Sequence, residues 1–314
     1  VNVFGRTPDK GFSQFVDSPR YSTGYTALWN SLGMLIETHM LKPYPQRVKQ
    51  TKAMLEGILK VSAKDYQQIK ELRAANFDTF KNDKFYKYDY QVDSTAYETL
   101  KFKGYEAEKI TSEVTGKKRL KYNRSRPFTK EIPYYNEYKA MDSIRIPDFY
   151  IIPAARKKVI SRLRQNQIIM NPLEKDTLLK VESYRIQDYK TAGSPYEGHY
   201  LHYDTEVSSS QSEKRFKKGD LIIPTHQRGR KYLIEVLEPA LKDSFFNWNF
   251  FDSILQRKEG FSGYVFEDYA ANFLADHTGI KKSFEQKKIA DSNFRNNSRA
   301  QLNWIYKRTP FYED

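Results

Sequence analysis

One carboxylate in this chain stands where a charge has to be used or paired. Glu37 closes the apolar run Met34-Leu35-Ile36, and His39 follows two residues later. Apolar residues bounded by Gly33 and Pro43 read as a short buried strand, and a charge at the end of such a strand is costly in isolation. Glu37 is therefore the first candidate for chemistry, with a buried ion pair to Lys42 or Arg47 as its structural alternative.

Other constellations are incomplete. None of the five histidines, His39, His199, His202, His226 and His277, has a glutamate three residues later, so the His-x-x-Glu pair of many zinc hydrolases is absent. His199 and His202 have a three-residue spacing that converges on one face only in a helix, and the surrounding glycine and tyrosines favour a strand. There is no Gly-x-Ser-x-Gly elbow and no phosphate-cradling Gly-x-x-x-x-Gly-Lys-Ser/Thr loop. Gln227-Arg228-Gly229-Arg230-Lys231 could accept an anion, and a helix start explains it equally well.

These side chains depend on elements that the apolar pattern sketches. Residues 1–33 are loop-rich, which next to a buried strand suggests a functional loop. Helical spacing predicts helices over 46–60 and 63–80. Residues 85–138 alternate with a period of two and carry a Thr115-Gly116 turn, the signature of antiparallel strands with one wet face. Further on, the pattern gives a strand at 148–153, a helix at 154–166, strands at 178–188 and 198–207, a mobile serine loop at 208–212, a strand at 221–224 and a helix at 230–237. The part from 243 onward is mainly helical, with Phe245, Phe246, Trp248, Phe250 and Phe251 as an aromatic knot in a core.

Composition bounds the partners. The 314 residues contain 53 Lys and Arg against 39 Asp and Glu, a net charge of +14, and no cysteine. Disulfides and thiolate metal sites are thereby excluded. The positive field would attract an anionic partner, but the charge is dispersed except for Lys117, Lys118, Arg119, Lys121, Arg124 and Arg126, which read as a solvated hairpin face. No apolar run is long enough to span a bilayer, and no signal peptide is visible at Val1.

A resemblance then joins these pieces. Pro19-Arg20-Tyr21-Ser22-Thr23-Gly24-Tyr25, Asn30, the block from Leu35 through Glu37-Thr38-His39 to Tyr44, and Arg47-Val48 resemble the end of the catalytic domain in bacterial zinc carboxypeptidase-like proteins. Tyr150-Ile151-Ile152-Pro153, Tyr196-Glu197-Gly198, residues 219–227, Leu237-Glu238-Pro239, Trp248-Asn249-Phe250-Phe251 and Lys258-Glu259 are similar to the long C-terminal extension of the same proteins. The resemblance implies that Glu37 is the general base working with a zinc-bound water on a C-terminal peptide bond. It places Arg20, Tyr21 and Tyr25 in a loop that commonly contacts peptide substrate, and gives His39 a role either in supporting the groups around the zinc or in packing.

The family's zinc ligands lie N-terminal to the glutamate strand, and nothing here supplies them. The expectation is a C-terminal fragment, inactive alone, of a secreted or periplasmic metallocarboxypeptidase whose upstream part holds the zinc. The expected fold class is α/β: the last strand and helices of a carboxypeptidase-like mixed sheet (1–82), a tyrosine-rich β region (83–147), a small α/β unit (148–242) and a helical region (243–314). Two other functions remain open: a non-catalytic extracellular module for a protein or anionic polymer, and, more weakly, nucleic-acid binding through the 117–126 hairpin.

Overall fold

Both periodicities of the sequence are realised, and the chain is of mixed α and β class. The structure, a computed structural model, describes residues 2–3, 7–256 and 260–312; Lys258 and Glu259, quoted for the resemblance, lie outside them. The chain divides into two units, Val1–Phe251 and Asp252–Asp314.

The first unit begins with two short strands, β1 (Asn2–Val3) and β2 (Phe12–Ser13), then helix α1 (Ser22–Leu28) and the long helix α2 (Tyr44–Lys81). Strands β3 (Phe85–Val92), β4 (Glu98–Thr111), β5 (Lys118–Tyr135) and β6 (Tyr138–Arg145) follow. They form a mixed sheet in the order β1-β2-β5-β4, in which β2 runs parallel to β5, and a separate antiparallel pair, β3 and β6. The β4–β5 hairpin closes through Gly116 at φ +67°, a left-handed conformation that glycine adopts without cost, and Ser112 Oγ accepts the amides of Val114 and Thr115. The basic cluster sits on this hairpin and its six side chains are exposed, the geometry expected for it.

Strand β7 (Phe149–Ile152), helix α3 (Lys157–Gln165), strands β8 (Asn171–Pro172), β9 (Thr177–Thr191), β10 (His202–Phe216) and β11 (Leu221–Pro224), and helix α4 (Arg230–Leu237) complete the folded part of this unit. A three-stranded sheet β7-β11-β8 packs with α3 and α4 around one core. Val159, Ile160 and Leu163 of α3 meet Ile223 of β11 and Leu233 of α4, while Lys157, Lys158, Arg162 and Arg164 stay on the wet face. Leu163, Ile223 and Leu233 are wholly buried, and burial of each contributes about 1.5–3 kcal/mol. Phe245 joins this core from the aromatic knot.

The second unit holds helices α5 (Gly263–Asp276), α6 (Thr278–Ala290), α7 (Ser292–Arg295) and α8 (Ser298–Tyr306) around Phe266, Phe273, Phe284 and Phe294. Asp291 and Asn297 cap α7 and α8 by accepting the amides of Phe294 and Ala300.

Several expectations change. Residues 34–36 form no strand: the segment from Ser31 to His39 is irregular, because no described strand lies beside it to take its backbone hydrogen bonds. The loop-rich N-terminal stretch contains α1. The two helices expected over 46–60 and 63–80 are present as the two arms of α2, with the kink between them a few residues later than expected, at Asp65, whose φ −106° and ψ 16° are not helical. Ser208–Ser212 are not a loop but the middle of β10, paired residue by residue with Arg185 through Val181 of β9. The division near 243 falls instead after Phe251, since Asp243, Phe245, Phe246 and Asn247 are buried in the first unit.

Candidate functional site

The expected site residues are not brought together. Glu37 is exposed and makes no hydrogen bond or ion pair with any described residue. Its proposed partners are engaged elsewhere: Lys42 Nζ donates to Gln50 Oε1 at 3.2 Å, and Arg47 Nε donates to Thr38 Oγ1 at 3.4 Å. The buried ion pair is therefore absent, as is the buried strand end that was to make Glu37 costly. His39 is also exposed, and its Nδ1 accepts the Leu41 amide at 3.2 Å, a local loop bond rather than a packing role. Around them Leu32, Met34, Leu35, Met40 and Leu41 are 61–82% exposed.

Arg20 is anchored to a distant part of the first unit. Its Nε donates to Asp243 Oδ1 at 2.7 Å and its backbone N–H to Oδ2 at 3.0 Å, while its guanidinium lies over the rings of Tyr196 and Trp248. Trp248 Nε1 donates to the same Asp243 oxygen at 3.1 Å. Arg20 Nη2 also donates to the Lys242 carbonyl at 3.3 Å, so two of the five guanidinium N–H groups are committed to residues 242 and 243. Tyr21, just before α1, is exposed and meets Phe15 edge-on.

Tyr25 has a different setting. It projects from α1, donates to Asn166 Oδ1 at 2.5 Å, and lines a cavity of about 370 Å³ with Trp29, Asn166, Gln227 and Arg228. A second cavity of about 240 Å³ shares Gln227 and Arg228 and extends to Leu28, Phe77 and Phe80. The lining of this second cavity includes Lys81, Arg228, Arg230 and Lys231 and no carboxylate. Arg230 closes the C-terminal end of α2: its guanidinium donates to the carbonyls of Phe80, Lys81 and Asp83, groups that a helix end leaves unsatisfied. Lys231 Nζ donates to Asn30 Oδ1 at 3.0 Å and Asn76 Oδ1 at 3.4 Å. Burial lowers the pKa of both cations, and the charge of Asp83 opposes it only in part. Arg73 ties α2 directly to the loop after α1, donating to Asn30 O and Ser31 Oγ.

Two carboxylates on and beside α4, Glu235 half-buried and Glu238 buried, escaped the sequence reading. Glu235 accepts the Tyr86 hydroxyl at 2.5 Å, and Glu238, just past the helix, accepts the Tyr150 hydroxyl at 2.6 Å. Burial raises Glu235 to about 7, against the opposing hydrogen bond from Tyr86. Burial also raises Glu238, and the facing tyrosines Tyr86 and Tyr150 are pushed up by burial first and by the carboxylates second. The available signal was a glutamate set between Ile234 and Val236 in an apolar helix, opposite strands rich in tyrosine.

Among the described residues no group of three or more His, Cys, Asp or Glu side chains could hold a metal ion, so these residues do not fit a zinc site and no step through zinc is derived from them. No described helix is long and apolar enough to cross a membrane. The fold and these cavities define a mixed α and β chain with a basic, partly apolar cleft at the start of α4. No family model, curated protein or solved structure matches it.

Proposed function

We propose that this chain is the C-terminal part of a secreted or periplasmic zinc carboxypeptidase-like hydrolase. In that reading Glu37 takes a proton from the attacking water and passes it to the leaving amine of a C-terminal peptide bond. The zinc would have to be held by residues outside this chain.

The observation that carries the reading is the setting of Glu37: an unpaired carboxylate in the middle of a segment whose apolar side chains stand in water. Such a surface is characteristic of a contact face. Helix α2 has the same character, since none of its 38 residues is buried although helices in proteins draw most of their stability from packing. The upstream part of a catalytic domain is the partner that the sequence resemblance supplies for both. A second reading, a non-catalytic extracellular binding or structural module, is favoured by a different observation, the cavities around Arg228, and does not need Glu37.

The test uses the full-length, zinc-loaded protein. Glu37→Gln should lower release of C-terminal residues from peptides by about 10²–10⁴-fold, the usual contribution of a positioned proton-transfer group. Circular dichroism and zinc content should be unchanged. Release at the native rate by the variant sinks the role of Glu37, and no release by either protein favours the binding module.

A further inference from the structure

The smaller cavity has a chemistry that the carboxypeptidase reading does not use. Its floor is apolar, formed by Leu28, Phe77 and Phe80, and its rim carries Lys81, Arg228 and Lys231. The donors on this rim are largely unspent. Among the described residues Arg228 and Lys81 make no side-chain hydrogen bond or ion pair, and Lys231 uses two of its three ammonium protons on Asn30 and Asn76. Arg230 contributes charge; its terminal nitrogens are committed to the end of α2, and its Nε–H is buried without a partner. The acidic group acting on Arg230 and Lys231 is Asp83, which does not line the cavity.

Arg228 and Lys81, exposed and unpaired, stand at one cavity with Lys231 and Arg230; like charges so gathered repel one another, and an anion relieves that cost. A bare inorganic anion would leave the floor of two phenylalanines and a leucine wet. We propose that this cavity binds a small organic carboxylate with an aromatic or branched apolar body, the body resting on Phe77 and Phe80 and the carboxylate meeting Arg228, with Lys81 and Lys231 on either side. The planar fork of the arginine matches a carboxylate in two parallel hydrogen bonds, which a lysine cannot do. Both a free acid and the terminal carboxylate of a peptide have this chemistry. The site does not depend on Glu37 or on zinc.

Isothermal titration calorimetry on the whole chain tests it with four ligands: 3-phenylpropanoate, its neutral amide, N-acetylphenylalanine and inorganic phosphate. Saturable binding of 3-phenylpropanoate is expected with a Kd below about 1 mM. The amide and phosphate should each bind at least about tenfold more weakly, as should 3-phenylpropanoate to Arg228→Gln, since charge-assisted hydrogen bonds exceed the ~1.4 kcal/mol that a factor of ten represents. Arg228 is exposed and bonded to nothing described, so this variant should fold normally. A tighter fit of N-acetylphenylalanine identifies a peptide terminus as the natural source, and a looser one identifies a free acid. The proposal is overturned if the amide or phosphate binds as well as the acid, if Arg228→Gln leaves affinity unchanged, or if no ligand saturates.

Discussion

Replacing Glu235 with glutamine should remove a pH dependence from the stability of the first unit. The carboxyl group on α4 is raised by burial from 4.5 to about 7. Between those two values the folded chain keeps a proton that the unfolded chain has released. The stabilising contribution is therefore complete below about pH 4.5, declines as the pH rises towards 7, and is gone above it. A gap of about two and a half pH units at ~1.4 kcal/mol each amounts to about 3 kcal/mol of lost stability across the window. Glutamine cannot ionise but keeps a carbonyl for the Tyr86 hydroxyl. Glu235→Gln should thus match the wild type near pH 4 and exceed it by up to ~3 kcal/mol near pH 8. Urea unfolding followed by tryptophan emission measures this, in a Trp304→Phe background so that only Trp29 and Trp248 of the first unit report. Parallel pH profiles for the two proteins would refute the argument, because they would mean that Glu235 titrates alike in the folded and unfolded chains.

Two further outcomes follow from the same unit. Asp243→Ala should cost about 3–5 kcal/mol in urea unfolding, since it strands the Arg20 guanidinium between Tyr196 and Trp248 and removes the acceptor of Trp248 Nε1; a loss below ~1 kcal/mol would mean that water replaces the carboxylate. Gly24→Ala should destabilise by about 1–3 kcal/mol despite the better helix propensity of alanine, because a Cβ there would press into the carbonyls of Asp17 and Ser18. A melting temperature at or above that of the wild type would contradict it.

The parts of this molecule that could be read from sequence are those whose signal is local. The spacing of Val159, Ile160 and Leu163 placed α3 and its buried face, and the alternation around the Thr115-Gly116 turn placed the β4–β5 hairpin. What failed was whatever depends on a neighbour. Met34-Leu35-Ile36 has the composition of a strand, but a strand exists only if another strand takes its backbone groups, and no described strand does. Ser208–Ser212 has the composition of a loop, yet the opposite strand holds it in register to Phe216. The tie of Arg20 to Asp243 left no local signal, because the two are more than two hundred positions apart in sequence. Gln227-Arg228-Gly229-Arg230-Lys231 was legible both as an anion acceptor and as a helix start. The structure gives the helix to Arg230 and Lys231 and leaves Arg228 at the mouth of two cavities.

The ties on α2 have a mechanical consequence. At ~1.5 Å per residue the arms of α2 before and after Asp65 are about 31 and 24 Å long, and the ties from Arg73, Lys231 and Arg230 all fall on the C-terminal arm. The N-terminal side is joined by Arg47 to Thr38, next to Glu37. Helix α2 is thus a boom stepped at one end in α4, bent at Asp65, with the glutamate carried near its tip. The core of Leu163 and Ile223 therefore carries no load from the N-terminal arm, whose residues are all outside it.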